Sequence, residues 1–302
     1  MDRLQTMSVF VAVAEEAGFA AAARRLKLSP PSVTRAVSQL EQRLGAKLLH
    51  RTTRSVQVTD AGQRYLADCR RILTEIEEVD RHAAGIHAAP RGAVTVTASV
   101  LFGRMVMAPI LLDLLDRYPE ISLTSLFVDR VVHMVEEGVD VAVRIAELPD
   151  STLSAARVGS VRRVLCAAPG YLDARGRPET PSELAGHEII DFVAMTPGGE
   201  WAFEKNDKVE RFKPRSRLRV NSADPAIAAA LGGRGITRVL SYMIAPQLEA
   251  GSLELVLDDR APPAVPIHVV HKEPGQTSAR VRAVVDHLVE RLRASSALDH
   301  DP

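Results

Sequence analysis

Cysteine, aromatic bulk and net charge are all scarce in this 302-residue chain. Its two cysteines, Cys69 and Cys166, stand far apart in different expected domains. A disulfide framework is therefore not expected, and a reducing, cytoplasmic setting is. Aromatic residues make up 4% of the sequence, and Lys plus Arg equal Asp plus Glu at 38 each. A chain without net charge has no global attraction to polyanions, so any nucleic-acid contact must come from a local basic segment. No apolar run approaches the ~20 residues of a membrane span. Met1-Asp2-Arg3 leads straight into an amphipathic helix. Neither a membrane partner nor a signal peptide is expected. What is present is an ordinary globular composition, 46% hydrophobic and 25% charged, at a length that points to two or three domains.

The charge is unevenly spread. Residues 1–58 hold nine Lys/Arg against four Asp/Glu, a net +5, while residues 59–88 come to −2 and residues 89–302 to −3. A polyanion, double-stranded DNA, fits the first segment and not the rest.

Local patterns in that segment give short helices, a tight turn and a basic hairpin. A first helix over 4–14 places Leu4, Met7, Val11 and Ala14 on one face. Gly18 is an acceptable cap for the alanine-rich helix that follows. Leu26 and Leu28 supply apolar side chains for the next turn. Ser29 is an N-cap, and Pro30 occupies the first helical position, where its missing N–H costs nothing. Val33, Val37, Leu40 and Leu44 form a buried stripe, and Gly45 stops the helix. Ser32, Thr34, Arg35, Ser38 and Gln39 fall off that stripe. Hydroxyls near a helix N-terminus and a basic exposed face suit phosphates and base edges in a major groove. Residues 47–51 and 55–58 read as strands of a wing with Arg51 and Arg54 near its tip. The same residues would also serve as a plain solvated face. The flanking pattern favours DNA contact by Ser29, Pro30, Ser32, Thr34, Arg35, Gln39, Arg51 and Arg54.

Thr59-Asp60-Ala61-Gly62 opens a long helix that ends near His87. Along it Tyr65, Cys69, Ile72, Ile76 and Val79 recur in alternating steps of four and three. A helix between two domains has little else to bury that seam against, so a second copy is expected there, in a homodimer or homotetramer.

After Pro90-Arg91-Gly92 an α/β pattern begins. Strand-like runs at 93–98, 121–128, 139–145 and 161–168 alternate with helix-like runs at 105–118 and 131–137, which indicates a parallel sheet. A second unit, from about Val164, has strands at 201–203, 218–221 and 253–257. It also has a short helix to Leu231, with Asp224 as expected N-cap and Pro225 at its first position. A strand at 267–271 and a helix capped by Ser278 close the pattern.

These pieces together resemble the LysR-type transcriptional regulators over nearly the whole length. The matching stretches include Leu28-Ser29-Pro30-Pro31-Ser32-Val33-Thr34-Arg35, Leu40-Glu41-Gln42-Arg43-Leu44-Gly45 and Val58-Thr59-Asp60-Ala61-Gly62. Further along come Tyr118-Pro119-Glu120-Ile121, Glu137-Gly138-Val139-Asp140-Val141 and Ala168-Pro169-Gly170-Tyr171-Leu172. The family commonly has a base-reading Gln where Pro30 stands, which leaves more of the readout to Ser32 and Arg35. The resemblance implies a mixed fold: a mainly α winged helix-turn-helix over 1–58, a linker helix over 59–88, and an α/β two-lobed effector domain over 91–302. That last domain would be similar to type 2 periplasmic binding proteins. Lobe 1 would take about 91–162 and 268–302 and lobe 2 about 163–267, with crossings near 160–163 and 263–268.

The resemblance also places a cleft between the lobes. Ser99, at the end of the first strand, precedes a helix start whose N–H groups suit an anion or carboxylate. With Val100 and Phe102 it would face Asp129 and Arg144, and from lobe 2 Asn221, Ser222 and Thr237. A small anionic or polar effector is expected. Helix capping accounts equally well for Ser99 and Ser222, and a structural ion pair for Arg144. His187-Glu188-Ile189-Ile190-Asp191 lacks the second His of a zinc-protease helix, and Gly232-Gly233-Arg234-Gly235 is not a phosphate loop. No catalytic residue, metal or cofactor is expected. The function read from this is a ligand-responsive, sequence-specific transcription regulator, with RNA polymerase as partner if it activates. The alternative is a small-molecule binding protein or enzyme carrying a basic module with no operator function.

Overall fold

The computed structural model describes residues 1–51, 56–83, 89–148, 153–206, 208–272 and 278–299; for residues 51, 75, 77–83 and 197 it describes the backbone alone. The chain divides into two compact units, Met1–Gly92 and Ala93–Pro302.

In the first unit α1 (Arg3–Glu15) starts from a capping box: the Asp2 carboxylate accepts the Gln5 N–H, and the Gln5 side chain accepts the Asp2 N–H. Its buried face is Met7, Val9, Phe10 and Val13. Leu4, expected on that face, sits in the first turn beyond the packed core and is exposed. α2 (Phe19–Leu26) ends at Lys27 in the left-handed conformation, and α3 (Pro30–Leu44) begins at once from Ser29. Val33, Ala36, Val37 and Leu40 of α3 are buried against α1 and α2. Leu44 is 37% exposed, because the helix outruns the core at its last residue. β1 (Leu49–Arg51) and β2 (Val56–Val58) pair antiparallel, and α4 (Asp60–Ala83) follows.

The second unit opens with β3 (Gly92–Ala98). α5 (Val100–Phe102) then runs through a wide π-helical turn, Gly103–Met107, into α6 (Ala108–Arg117). Gly103 permits that turn to lie on Phe127, whose ring would stand 2.3 Å from a Cβ there. β4 (Ile121–Phe127), β5 (Val141–Ile145) and β6 (Ser154–Val161) follow. The second sheet draws on β7 (Arg163–Ala167), β8 (Ile189–Phe192), β11 (Ser216–Val220), β12 (Ile236–Leu240) and β13 (Glu254–Val256). α7 (Pro169–Arg175), the hairpin β9 (Trp201–Lys205) with β10 (Lys208–Phe212), α8 (Ala223–Leu231) and α9 (Ala245–Glu249) lie between these strands in sequence. β14 (Val265–His271) returns to the first sheet, and α10 (Ala279–Arg293) is capped by the Ser278 hydroxyl.

The strand orders are β4-β3-β5-β14-β6 and β11-β8-β12-β7-β13. Neither sheet is purely parallel, contrary to the alternation of strands and helices. β3–β5, β8–β11 and β8–β12 are parallel, but β14 runs antiparallel to β5 and β6, and β7 to β12 and β13. The reason is the double crossing. β14 comes back from the other lobe and enters its sheet against the direction of β5 and β6. At the outward crossing the Arg162 N–H donates to the Ser241 hydroxyl at 3.1 Å, and its guanidinium pairs with Asp258 at 2.8 Å.

Two local expectations are corrected. Residues 131–137 form no helix. The Glu137 N–H reaches the His133 carbonyl in a single turn, and Val131 and Val135 are 73% and 74% exposed. The buried residues are Val132 and Met134, two apart rather than three or four, so the run offers no helical apolar stripe and is too short to hold a helix without one. Instead the Glu137 carboxylate grips Arg130 and the His133 N–H, which together hold its pKa down to about 2. The N-cap of α8 is Ser222, not Asp224. Asp224 falls inside the first turn, where Arg104 engages it.

Candidate functional site

The outward face of α3 is set by its buried stripe. With Val33, Ala36, Val37 and Leu40 inside, Ser29, Pro30, Thr34, Arg35 and Gln39 are exposed, and Ser32 is half-buried. The Ser29 hydroxyl accepts the Ser32 N–H at 3.3 Å and lies 2.8 Å from the Ser32 hydroxyl, so capping and a two-hydroxyl cluster coincide at the N-terminus. No acidic residue stands in this first turn. The helix therefore presents hydroxyls and a guanidinium on one side, the equipment for phosphates and base edges, while Pro30 and Pro31 carry no N–H and Ser29 accepts those of Ser32 and Val33. Arg54 lies outside the described residues, and so does the side chain of Arg51.

One residue that positions this face went unread in the sequence. Glu41 is 3% exposed, and its carboxylate accepts the Leu48 N–H at 2.9 Å, the Leu49 N–H at 3.2 Å and the Lys47 ammonium at 3.0 Å. It ties the end of α3 to the start of the wing. Burial alone would raise its pKa, but Lys47 and the Leu49 and Leu48 N–H groups outweigh that and hold it below the usual carboxylate range. Its place four residues after Val37, on the apolar stripe, was the available sign. Gly62 completes the join: a Cβ there would stand 2.1 Å from the Leu48 carbonyl oxygen.

The seam on α4 is used partly within the chain. Cys69 is fully buried, and Tyr65 and Ile72 pack on the same core, with the Tyr65 ring 5.8 Å from that of Phe10. Arg70 pairs with Glu15 across the join at 2.9 Å. The expectation that the seam has nothing else to lie against is thus corrected for Tyr65, Cys69 and Ile72, because α1 already covers them. Ile76 stands outside that core, half-buried, and the Val79 side chain is outside the described residues.

Between the two sheets of the second unit, Ser99 and Tyr242 bring two buried hydroxyls beside each other, short of a well-formed hydrogen bond, and neither bonds any other group. Ser99 follows β3 and Tyr242 follows β12, so each comes from a different lobe. The Phe102 ring meets Tyr242 edge-on at 5.3 Å. Burial pushes the Tyr242 phenol well up, the neighbouring Ser99 hydroxyl offsets part of this, and the Asp129 carboxylate adds to it. At the rim, Arg104 of lobe 1 pairs with Asp224 of lobe 2 at 2.8 Å. Asn221 and Val100 are exposed, and Ser222 caps α8 without a side-chain hydrogen bond.

Four of the residues expected at the cleft have other work. Phe102 and Thr237 are fully buried. Phe102 is core rather than an open wall, and the Thr237 hydroxyl donates to the Ile190 carbonyl at 3.0 Å inside the second sheet. Asp129 accepts the Val100 N–H at 3.0 Å and so caps the helix start itself. Arg144 donates to the Val132 carbonyl at 2.9 Å, which favours its structural role. Tyr242, Arg104 and Asp224 were not anticipated, since only the meeting of two strands distant in sequence brings them together.

Two family models match this chain. One, described as a bacterial regulatory helix-turn-helix protein of the lysR family, covers residues 4–63, and the other, a LysR substrate binding domain, covers residues 87–293. The chain belongs to the LysR family of transcriptional regulators. This LysR-type regulator is 31% identical to the HTH-type transcriptional activator AaeR of Escherichia coli, over 96% of its own length and 94% of the relative's. A HTH-type transcriptional repressor of Pseudomonas aeruginosa is 32% identical over 100% of this chain and 96% of its own. Among solved structures, CrgA of Neisseria meningitidis aligns with a TM-score of 0.62 at 29% identity, covering 95% of this chain and 98% of that one. The fold class is that of the family, a helix-turn-helix joined to a two-lobed α/β regulatory domain. The molecule is a ligand-responsive, sequence-specific DNA-binding regulator, with DNA bound by the helix-turn-helix and a small-molecule effector by the regulatory domain. No described helix is long and apolar enough to cross a membrane. Burial pushes the thiols of Cys69 and Cys166 up to about 11 and about 12, so neither supplies a thiolate at neutral pH.

Proposed function

We propose that this regulator reads its operator with the exposed α3 face, Ser29, Pro30, Ser32, Thr34, Arg35 and Gln39, and braces on phosphate with Arg51 and Arg54. The observation that carries the reading is the clean division of α3 into a buried apolar side and an exposed hydroxyl-and-arginine side. In this scheme residues 1–58 are the DNA-binding domain, 59–88 the linker and 91–302 the effector domain. The protein works in the cytoplasm as a homodimer or homotetramer. The self-association seam runs from Ile76 through Val79, beyond the part of α4 that α1 covers. Activation at a promoter would bring RNA polymerase in as a partner.

The effector sits between the lobes, and its anchors are the Ser99 and Tyr242 hydroxyls, with Asn221 and Ser222 at the rim. Two buried hydroxyls that meet only each other, and without good hydrogen-bond geometry, support an oxygen-bearing ligand that would bridge them. Arg104 at the rim, and the start of α8, where the Ser222 cap makes no side-chain hydrogen bond, favour an anionic or polar one. Breaking or keeping the Arg104–Asp224 pair then distinguishes two lobe arrangements, and the effector acts by binding them with different affinity. Gel retardation of the DNA adjoining the coding sequence, titrated with salt and with a metabolite panel, tests this. Retention that falls steeply with salt and shifts with one metabolite is expected. Binding equal to that of unrelated DNA and unmoved by every metabolite would refute it.

A further inference from the structure

The outer face of the second sheet carries two arginines that its acids do not neutralise. β7 and β12 turn Leu165 and Arg238 to the same side, where the β9–β10 hairpin covers them with Trp201 and Phe203. Arg238 is 4% exposed, and its Nε and Nη1 have no hydrogen-bond partner. Its guanidinium lies 5.7 Å from the centre of the Trp201 ring. A ring face offsets only part of the cost of burying an unpaired charge. Burial draws the Arg238 pKa down to about 10, with Arg163 adding to the effect, so the charge persists at neutral pH.

Beside these groups is a cavity of about 10 Å³, whose lining includes Arg163, Arg238, Phe203, Leu257 and Asp258. That volume is the space open to the centre of a small sphere, so the cavity admits one water molecule or monoatomic ion and excludes a metabolite. Asp258 is the acid on its wall, and that carboxylate is already held by Arg162 at 2.8 Å. Leu257 takes a left-handed backbone, φ 53°, to carry the Asp258–Arg260 turn past the cavity. For a branched, non-glycine residue that is a strained conformation, of the kind that collects at binding sites.

We propose that this cavity binds a single monoatomic inorganic anion of chloride or bromide size, held by the guanidinium groups of Arg238 and Arg163. A water would satisfy the donors but leave both charges uncompensated. The site lies next to the outward crossing at Arg162 and to the turn before the return crossing, so an occupant braces the lobe-2 side of both.

The single tryptophan gives a direct reading of the site. Full-length protein is melted at constant ionic strength while chloride replaces gluconate, an anion too large for the cavity. A rise that grows with the logarithm of chloride concentration above the dissociation constant, reaching about 3–6 °C at tenfold excess over it, is expected. Bromide, a heavy-atom quencher, should dim Trp201 in proportion to occupancy, along a saturating curve with a comparable dissociation constant. Arg238→Met should keep the fold by circular dichroism and lose both responses. Arg163→Gln, which leaves the Trp201 packing untouched, should shift both curves at least tenfold to higher concentration. Equal melting in chloride and gluconate would overturn the proposal. Quenching that rises linearly without saturation would do so too, as would an Arg163→Gln response identical to that of the parent.

Discussion

Replacing Glu41 with alanine should unfold the DNA-binding unit early while sparing the effector domain. The carboxylate is the acceptor for the Leu48 and Leu49 N–H groups, and both of those residues are buried. Stranding a buried donor costs about 1–3 kcal/mol, so two cost about 2–6 kcal/mol. The Lys47 pair adds little, since its ammonium is largely exposed. Against a domain stability of about 5–15 kcal/mol, the loss is large enough to be seen at physiological temperature. Trp201, the only tryptophan, lies in the second unit and reports that unit alone. Far-UV circular dichroism should therefore show a lowered first transition while the Trp201 fluorescence transition stays put. Glu41→Gln keeps the shape and one carbonyl acceptor and should cost less than half as much. The same group sets a pH dependence. Its folded pKa is depressed, so its contribution is fully present above the ordinary carboxylate pKa and is lost as pH falls through the lowered one. Glu41→Gln should flatten stability in that acidic window. An alanine variant within 0.5 kcal/mol of the parent, or one that moves both transitions equally, would refute the reasoning.

Other outcomes follow from the same geometry. Arg35→Ala should weaken specific operator binding by about 1–3 kcal/mol and relax sequence preference, because an exposed Arg on a recognition helix is a direct base reader; equal loss on random DNA, measured by competition retardation, would contradict this. Arg144→Gln should lower the melting temperature with or without effector, since it strands the Val132 carbonyl, while a full melting temperature with the effector response abolished would return Arg144 to the ligand. Ile76→Lys should shift the sedimentation profile toward a smaller species without changing the Trp201 melt, and an unchanged oligomer would remove this part of α4 from the interface.

Sequence carried the DNA-binding unit well because its determinants are local. Ser29 and Pro30 set the start of α3, Gly45 its end, and the spacing of Val33, Val37 and Leu40 its two faces. The resemblance supplied the expected lobe crossings, near 160–163 and 263–268, and apolar runs marked the cores of most strands. What escaped depends on contacts distant in sequence. Glu41 reads as a surface acid until the wing folds back on it. Phe102 and Thr237 look like cleft residues until the lobes close a common core over the first and the second sheet takes in the other. Sheet direction was missed because β14 is assigned to its sheet by a crossing from the other lobe. Tyr242 and Ser99 are separated by more than half the effector domain and meet only in three dimensions.

The central claim is that a ligand held between the lobes changes how this chain sits on DNA. Footprinting the promoter with the parent and the Ser99→Ala/Tyr242→Phe variant, with and without effector, tests it most directly. Removing two hydroxyls that bond no group but each other, and that only weakly, should leave the ligand-free fold and footprint intact. The parent footprint should change length or gain new hypersensitive positions when effector is added, and the variant footprint should not change over at least a tenfold range of effector. A variant that responds at the same effector concentration as the parent, with the same altered footprint, would contradict the account.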